Sequence, residues 1–113
     1  MEVKVNELVY KILAADLEPL NPETQSLKLT IRCTNTNPRY DAVLAGSSLR
    51  LLIEDVPRAP TNNFYEVVSN QSALEGEFVF EVPTTVSTVV LQISDDTSEA
   101  IGQIPIQLSS ANP

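Results

Sequence analysis

Strict alternation of apolar and polar residues marks two segments of the chain as half-buried β-strands. In residues 26–35 the apolar positions are Leu27, Leu29, Ile31 and Cys33. Residues 76–82 alternate in the same way, and Phe78, Phe80 and Val82 form the predicted inward face. Successive side chains of a strand point to opposite faces of a sheet, so each segment has one dry and one wet face.

The two segments match each other as antiparallel neighbours. One register pairs opposite charges on the wet face and apolar side chains on the dry face, and each such pair contributes roughly 0.2–1 kcal/mol. The predicted facing pairs are Lys28–Glu81, Arg32–Glu77, Leu29–Phe80 and Ile31–Phe78. The sequence therefore predicts a central sheet built on residues 26–35.

Five further segments are predicted as strands. They span residues 1–18, 49–53, 64–68, 87–94 and 101–108, and prolines or polar turns separate them. Pro105 has no N–H to give to a sheet, so the last strand is expected at a free edge. About seven strands of this kind predict an all-β, immunoglobulin-like sandwich of two antiparallel sheets.

The first of these segments allows two interpretations. Its alternation breaks after Asn6, and residues 8–17 are apolar on both faces. A strand that kinks near Asn6 and changes sheets explains the break, whereas a helix over residues 8–17 fits the stripe of Leu8, Ile12 and Ala15. We favour the strand.

Length and composition indicate one domain over residues 1–113. A chain of 113 residues with 42% hydrophobic content can bury its own core. No apolar run reaches the roughly 18 residues of a membrane span. Strand-like sequence follows Met1 at once, so we expect the domain to be excised from a longer, anchored protein.

Charge is divided unevenly along the chain. The net charge is −8, and all seven Lys and Arg residues precede Ala59. Phosphate contacts require clustered basic residues, so nucleic acid is not expected as a partner. Solubility and cross-strand pairing between the two halves explain the division, and the alternative is an acidic surface that steers a basic partner or collects cations.

The residue types of common catalytic and metal sites are scarce. The sequence has no histidine, one cysteine and three glycines, which leaves no P-loop, dinucleotide-binding motif or zinc motif. Glu77 and Glu81 face predicted cations, and Cys33 is predicted to be a buried thiol. We therefore expect a non-enzymatic protein without a cofactor or a metal.

The loop after the central strand supplies the candidate binding residues Arg39, Tyr40 and Asp41. Residues 38–46 form the longest predicted irregular stretch. Loops of β-sandwiches often carry binding residues, and Tyr and Arg are favoured interface anchors. In the alternative interpretation, Tyr40 packs back over the end of the sheet, and Arg39 and Asp41 are only solvated.

Several short motifs give the chain a resemblance to a known family. They are Arg50-Leu51-Leu52, Ala59-Pro60-Thr61, Val67-Val68, Ser72-Ala73, Glu75-Gly76, Phe80-Glu81-Val82-Pro83 and Ile104-Pro105-Ile106, with Asn35 before them. Over about residues 7–108 the chain resembles bacterial cell-envelope domains of unknown function, which are immunoglobulin-like sandwiches related to the mycobacterial immunoprotective extracellular antigen. The resemblance implies export, often with an upstream membrane anchor, and brings no catalytic residues.

Two functional hypotheses follow. The first is a non-enzymatic interaction or structural module of a bacterial envelope or secreted protein, extracellular or periplasmic, with another protein as its partner. The alternative is a module that binds a carbohydrate, or a cation at the acidic hairpin 95–99. We expect a monomer or weak dimer, with any dimer contact through the first strand, because that strand is apolar on both faces.

Calcium binding at residues 95–99 is predicted to be absent. Asp95, Asp96 and Glu99 supply suitable carboxylates, but the segment has no glycine to fold tightly around an ion. Addition of about 1 mM calcium should leave the thermal midpoint unchanged. An ion at 100 times its dissociation constant would add about 2.7 kcal/mol of stability. Such a rise, abolished by Asp96→Asn, would contradict this prediction.

Overall fold

Residues 2–94 and 101–108 are described by the computed structural model, and they form strands joined by turns and loops. The strands are β1 (Glu2–Val5), β2 (Leu8–Pro19), β3 (Thr24–Asn35), β4 (Ala42–Ala45), β5 (Leu49–Ile53), β6 (Val56–Arg58), β7 (Tyr65–Val68), β8 (Ser72–Pro83), β9 (Thr88–Ser94) and β10 (Ile101–Gln107). One 3-10 turn, Gly46–Ser48, lies among them. The predicted calcium ligands Asp95, Asp96 and Glu99 lie outside the described residues.

Two four-stranded antiparallel sheets and a two-stranded ribbon make up the architecture. The strand order is β1-β2-β3-β8 in sheet I and β10-β9-β5-β6 in sheet II, while β4 pairs with β7. Inner side chains of both sheets join one core: Leu27, Leu29, Ile31, Leu49, Leu51, Phe78, Phe80, Leu91 and Ile93 are all fully buried. The predicted all-β, antiparallel, sandwich-like fold is confirmed.

The central strand is β3, and its predicted partner β8 is confirmed as an antiparallel neighbour. The predicted facing pairs, however, are wrong by two residues. Leu29 lies opposite Phe78 instead of Phe80, and Arg32 lies opposite Glu75. A shift by two residues leaves every side chain on its face, so alternation cannot distinguish the two registers.

Ion pairs on the outer face of sheet I follow the observed register. Arg32 Nη2 lies 2.8 Å from Glu75 Oε2, and Lys28 Nζ lies 3.9 Å from Glu77 Oε2. The strand was predicted to begin at residue 76, which removed Glu75 from the candidate partners of Arg32. In the structure β8 already begins at Ser72, so Glu75 is available to Arg32.

The start of the chain is a β-hairpin, so the strand favoured for residues 8–17 is confirmed, but the predicted kink and change of sheet are wrong. Instead of one kinked strand that changes sheets, β1 pairs antiparallel with β2 in the same sheet, with Val5 opposite Leu8. Asn6 makes the reversal with a positive φ of 55°. The helix over residues 8–17 is wrong, because β2 is a strand with a bulge near Leu13. A bulge changes the phase of alternation, which explains why this segment is apolar on both faces.

Two other short strands were not predicted. Strand β4 lies within residues 38–46, which were predicted to be irregular, and β6 follows β5 through a tight turn. Glu54 and Asp55 form that turn with φ values of 52° and 69°. Both strands have only three or four residues, too few for alternation to be read from the sequence.

On both sides of the sandwich, other residues of the chain cover a sheet edge. On one side β10 is the edge of sheet II, as Pro105 predicted, and β1 packs beside it. Val3 and Val5 approach Gly102 so closely that a Cβ there would lie 2.7 Å and 2.9 Å from their Cγ2 atoms. Gly102 therefore allows the contact between the two sheets.

On the other side, a side chain takes the place of a strand along β8. Asn62 Oδ1 accepts the N–H of Val79 at 2.8 Å, and Asn62 Nδ2 donates to the carbonyl of Glu77 at 2.9 Å. The N–H of Thr61 donates to the Val79 carbonyl at 2.7 Å. These bonds occupy part of a backbone edge that could otherwise pair with another chain.

Candidate functional site

Three exposed aromatic and aliphatic side chains lie on the loop that follows β3 and on the β4–β7 ribbon. Tyr40 is 69% exposed, Tyr65 is 70% exposed and Val67 is 53% exposed. We call this surface, with the loop 36–41 and the β4–β7 ribbon that carry it, the tyrosine end. Large apolar side chains that stay exposed in one region are typical of binding surfaces.

A buried asparagine anchors the tyrosine end to the core. Asn35, at the end of β3, is only 1% exposed. Its Nδ2 donates to the carbonyls of Tyr40 at 2.9 Å and Val68 at 3.1 Å, and its Oδ1 accepts the N–H of Asn37 at 3.0 Å. One amide therefore ties the loop and β7 to the central strand, and its buried polar atoms are satisfied.

A second asparagine shapes the loop itself. Asn37 Oδ1 accepts the N–H groups of Arg39 at 2.8 Å and Tyr40 at 2.9 Å. Its Nδ2 donates to Glu7 Oε1 at 2.5 Å, and its carbonyl accepts the N–H of Gln71 at 3.2 Å. The side chain thus closes a local turn of the kind that asparagine favours and joins it to two neighbouring turns.

Asn70, in the turn before β8, holds the carboxylate of Asp41. Asp41 Oδ1 accepts both the backbone N–H of Asn70 at 3.0 Å and the Asn70 Nδ2 at 3.1 Å. Its other carboxylate oxygen, Oδ2, has no hydrogen-bond donor among the residues that the structure describes. The carboxylate is therefore oriented and still able to accept a donor from a ligand.

The three predicted binding residues share this loop but differ in their surroundings. Arg39 and Asp41 are exposed, and Tyr40 projects into solvent instead of packing back over the sheet. The alternative interpretation of Tyr40 is therefore wrong. Their role in binding stays a prediction.

A cleft of about 510 Å³ opens beside the tyrosine end, between the β1–β2 hairpin and the β4–β7 ribbon. Its walls are formed by Val5, Asn6, Leu8, Tyr10, Asp41, Ala42, Val43, Ala45, Ser47, Ser48, Tyr65 and Ser94. This volume lies within the 300–1,000 Å³ of ordinary ligand pockets. Among the described residues of this lining Asp41 is the one with a charged side chain, and its neighbours there present hydroxyl, amide and aromatic groups.

Tyr65 and Val67 were missed as candidate residues. The segment FYEVV had been recognised as a strand, but without its neighbours its outward face could not be told from its inward face. Among the described strands β7 pairs with the short strand β4 alone, and Tyr65 and Val67 are exposed. Their exposure depends on tertiary pairing, which alternation alone does not reveal.

Cys33 is structural in this setting. It is fully buried and faces Tyr10 across β2 and β3. Burial raises the pKa of the Cys33 thiol to about 11, and a hydrogen bond with Tyr10 offsets part of the rise. The thiol stays protonated at neutral pH and is a poor nucleophile.

No arrangement of His, Cys, Asp and Glu suited to a metal ion occurs within residues 2–94 and 101–108. The same ranges contain no helical segment with the length and hydrophobicity of a membrane span.

Comparisons with known proteins return no relative. No family model matches the chain, and neither a curated protein nor a solved structure shows significant similarity to it.

Asn35→Ala is predicted to destabilise the fold and loosen the loop. The change leaves two carbonyls and one N–H without their buried partner, which should cost about 2–4 kcal/mol of unfolding free energy. Urea unfolding measures the loss. Hydrogen exchange should show faster exchange at the N–H groups of Asn37 and Tyr40.

Asn21→Ala is the matched control, because Asn21 Oδ1 also accepts two backbone N–H groups, those of Glu23 and Thr24, but in an exposed turn. It should cost less than about 1 kcal/mol. Equal losses for the two variants would show that Asn35 is not the anchor.

Proposed function

We propose that the chain is a non-enzymatic interaction module of a bacterial cell-envelope or secreted protein, extracellular or periplasmic, and that it binds another protein through the tyrosine end. The observation that carries the proposal is the exposure of Tyr40, Tyr65 and Val67 on a backbone held by buried and local hydrogen bonds. The envelope location rests on the family resemblance.

Exposed tyrosines on an ordered backbone favour binding for two reasons. Tyrosine presents a large apolar body and a hydroxyl, so it gains from burial and from hydrogen bonding at once. The amides of Asn35 and Asn37 already fix the loop that carries Tyr40. Binding then requires less ordering of the chain, which leaves more of the contact energy as affinity.

The strand order supports an immunoglobulin-like topology for this module. The chain passes from β3 in sheet I to β5 in sheet II, and again from β8 in sheet I to β9 in sheet II. Such crossings between two antiparallel sheets are the connections of Greek-key sandwiches. In that architecture the loops at one end of the sandwich form a single surface, which agrees with the position of the tyrosine end.

A saccharide ligand is the second candidate, and the cleft favours it. An exposed aromatic ring, here Tyr65, can pack against the C–H face of a sugar. Asp41, Ser47 and Ser48 line the same cleft and can exchange hydrogen bonds with hydroxyl groups.

Site-specific photo-crosslinking tests the protein-binding proposal. A photoreactive amino acid at Val67 should give a discrete crosslinked product in an envelope extract of the source cells. The double variant Tyr40→Ala, Tyr65→Ala should lose at least about nine tenths of it, because interface tyrosines often contribute 2 kcal/mol or more. Its unfolding midpoint should hardly change, because both side chains are exposed.

The same photoreactive group at Thr85 is the control. Thr85 lies in the turn between β8 and β9, at the other end of β3 and β8, and is exposed. Equal crosslinking from both positions, or none from Val67, contradicts the protein-binding proposal. Binding on a glycan array that Tyr65→Ala and Asp41→Asn abolish would support the saccharide instead.

A further inference from the structure

Arg50 of β5 is a half-buried cation without a carboxylate partner. Of the seven basic residues, Lys28 and Arg50 are half-buried and the other five are exposed. Lys28 Nζ lies 3.9 Å from Glu77 Oε2, whereas no carboxylate of the described residues lies within ion-pair distance of Arg50. Partial burial of a charge without a counter-charge is unfavourable, so an anion that binds Arg50 would offset that cost.

The edge of the Arg50 guanidinium that stays available is the edge that holds a carboxylate elsewhere in this chain. Arg50 Nη1 donates to the carbonyls of Leu49 at 2.6 Å and Gly46 at 3.3 Å. Its Nε and Nη2 have no acceptor among the residues that the structure describes. Arg32 uses this same pair of atoms on Glu75 Oε2, at 3.2 Å from Nε and 2.8 Å from Nη2. The bonds of Nη1 orient the Arg50 guanidinium, and its Nε and Nη2 form a fork that matches a carboxylate.

Arg50 also lines a cleft of about 420 Å³ between the Gly46–Ser48 turn and the segment 59–65. We call it the arginine cleft, and its described lining includes Ser47, Pro60, Asn63, Phe64 and Tyr65. Its volume lies within the range of about 300–1,000 Å³ that is ordinary for ligand pockets. The described lining combines one cation with a proline, two aromatic rings and hydrogen-bonding side chains, and it contains no carboxylate.

The net charge of −8 opposes an anion at this cleft only weakly. Glu54, in the turn after β5, is four residues from Arg50, which corresponds to roughly 13 Å along a strand. Glu66 follows Tyr65 in β7, where successive side chains point to opposite faces of the ribbon. Exposed charges are screened beyond about 8 Å at physiological ionic strength. Distant carboxylates therefore lower the affinity for an anion without cancelling the attraction of Arg50.

We infer that the arginine cleft binds a carboxylate that is carried on an apolar or aromatic body. Nε and Nη2 of Arg50 hold the carboxylate, and the rings of Phe64 and Tyr65 pack against the body. A phosphate carries roughly two negative charges and favours several cations, whereas the described lining has one. Two sources supply the inferred chemistry, the C-terminal residue of a peptide and a small free acid.

This inference does not depend on protein binding at the tyrosine end. Arg50 lies outside that surface, and a small acid needs no protein partner. Tyr65 lines the arginine cleft and also belongs to the tyrosine end, so the test uses variants of Arg50 and leaves Tyr65 unchanged.

An amide NMR titration of the isotope-labelled full chain with N-acetylphenylalanine tests the inference. The amides of Gly46, Ser47, Arg50 and Tyr65 should shift and saturate with a dissociation constant of roughly 0.1–5 mM, as expected for one ion pair and one ring. N-acetylphenylalanine amide has the same body without the charge, and it should bind at least about tenfold more weakly. No saturable shift, equal binding of acid and amide, or shifts confined to other parts of the chain would each overturn the inference.

Matched variants assign the binding to Arg50. Arg50→Gln should weaken the binding of N-acetylphenylalanine at least about tenfold, because the charge and the fork are both lost. Lys11→Gln removes the same charge from an exposed position on the outer face of sheet I and should change the dissociation constant less than about twofold. Equal effects of these two variants would attribute binding to overall charge and contradict the assignment.

Arg50→Lys keeps the charge and removes the fork, so it should weaken binding at least about threefold. It carries the test if Arg50→Gln fails to retain the wild-type circular dichroism spectrum. Unchanged binding by Arg50→Lys would contradict the role of the fork.

A short peptide that ends in phenylalanine separates the two sources of the carboxylate. Binding of this peptide at least about tenfold tighter than N-acetylphenylalanine identifies a protein C-terminus as the ligand, and equal binding identifies a small acid. Amidation of the peptide C-terminus should remove the binding, because the fork of Arg50 then has no carboxylate to hold. A peptide that binds equally well after amidation overturns carboxylate recognition.

Discussion

The burial of one face of β3 is the constraint on which the rest of the structure depends. Leu27, Leu29, Ile31 and Cys33 are fully buried, and full burial of an aliphatic side chain contributes about 1.5–3 kcal/mol. Strands β2 and β8 pair along its two edges, so β3 organises sheet I. The inner side chains of sheet II pack against the same face and complete the core.

The last residue of β3 connects this buried face to the exposed candidate site. Asn35 continues the alternation and therefore points inward, where its amide must find hydrogen-bond partners. It finds them in the carbonyls of Tyr40 and Val68, which carry the loop and the ribbon of the tyrosine end. Core packing and the geometry of the candidate site are thus linked by one side chain.

Alternation predicted β3 and β8 and their inward faces, because side-chain direction in a strand follows a period of two residues. It could not predict the register of β3 with β8, since a slip of two residues preserves both faces. The hairpin at Asn6 and the bulge near Leu13 were misinterpreted because each interrupts the alternation of apolar and polar residues. The interruption alone does not show whether a turn, a bulge or a helix causes it. Arg39, Tyr40 and Asp41 could be placed in an exposed loop because loop residues can be recognised by type, whereas the exposure of Tyr65 depends on which strand covers it.

The central claim is the register that carries Asn35 to its partners. In the observed register Asn35 lies opposite Ser72, within reach of Val68 in the preceding strand. In the register first predicted it would lie opposite Leu74, two residues further along β8. Interstrand nuclear Overhauser effects between backbone protons test this directly. The account predicts contacts that link Leu29 with Phe78 and Asn35 with Ser72, and contacts that link Leu29 with Phe80 and Asn35 with Leu74 would contradict it.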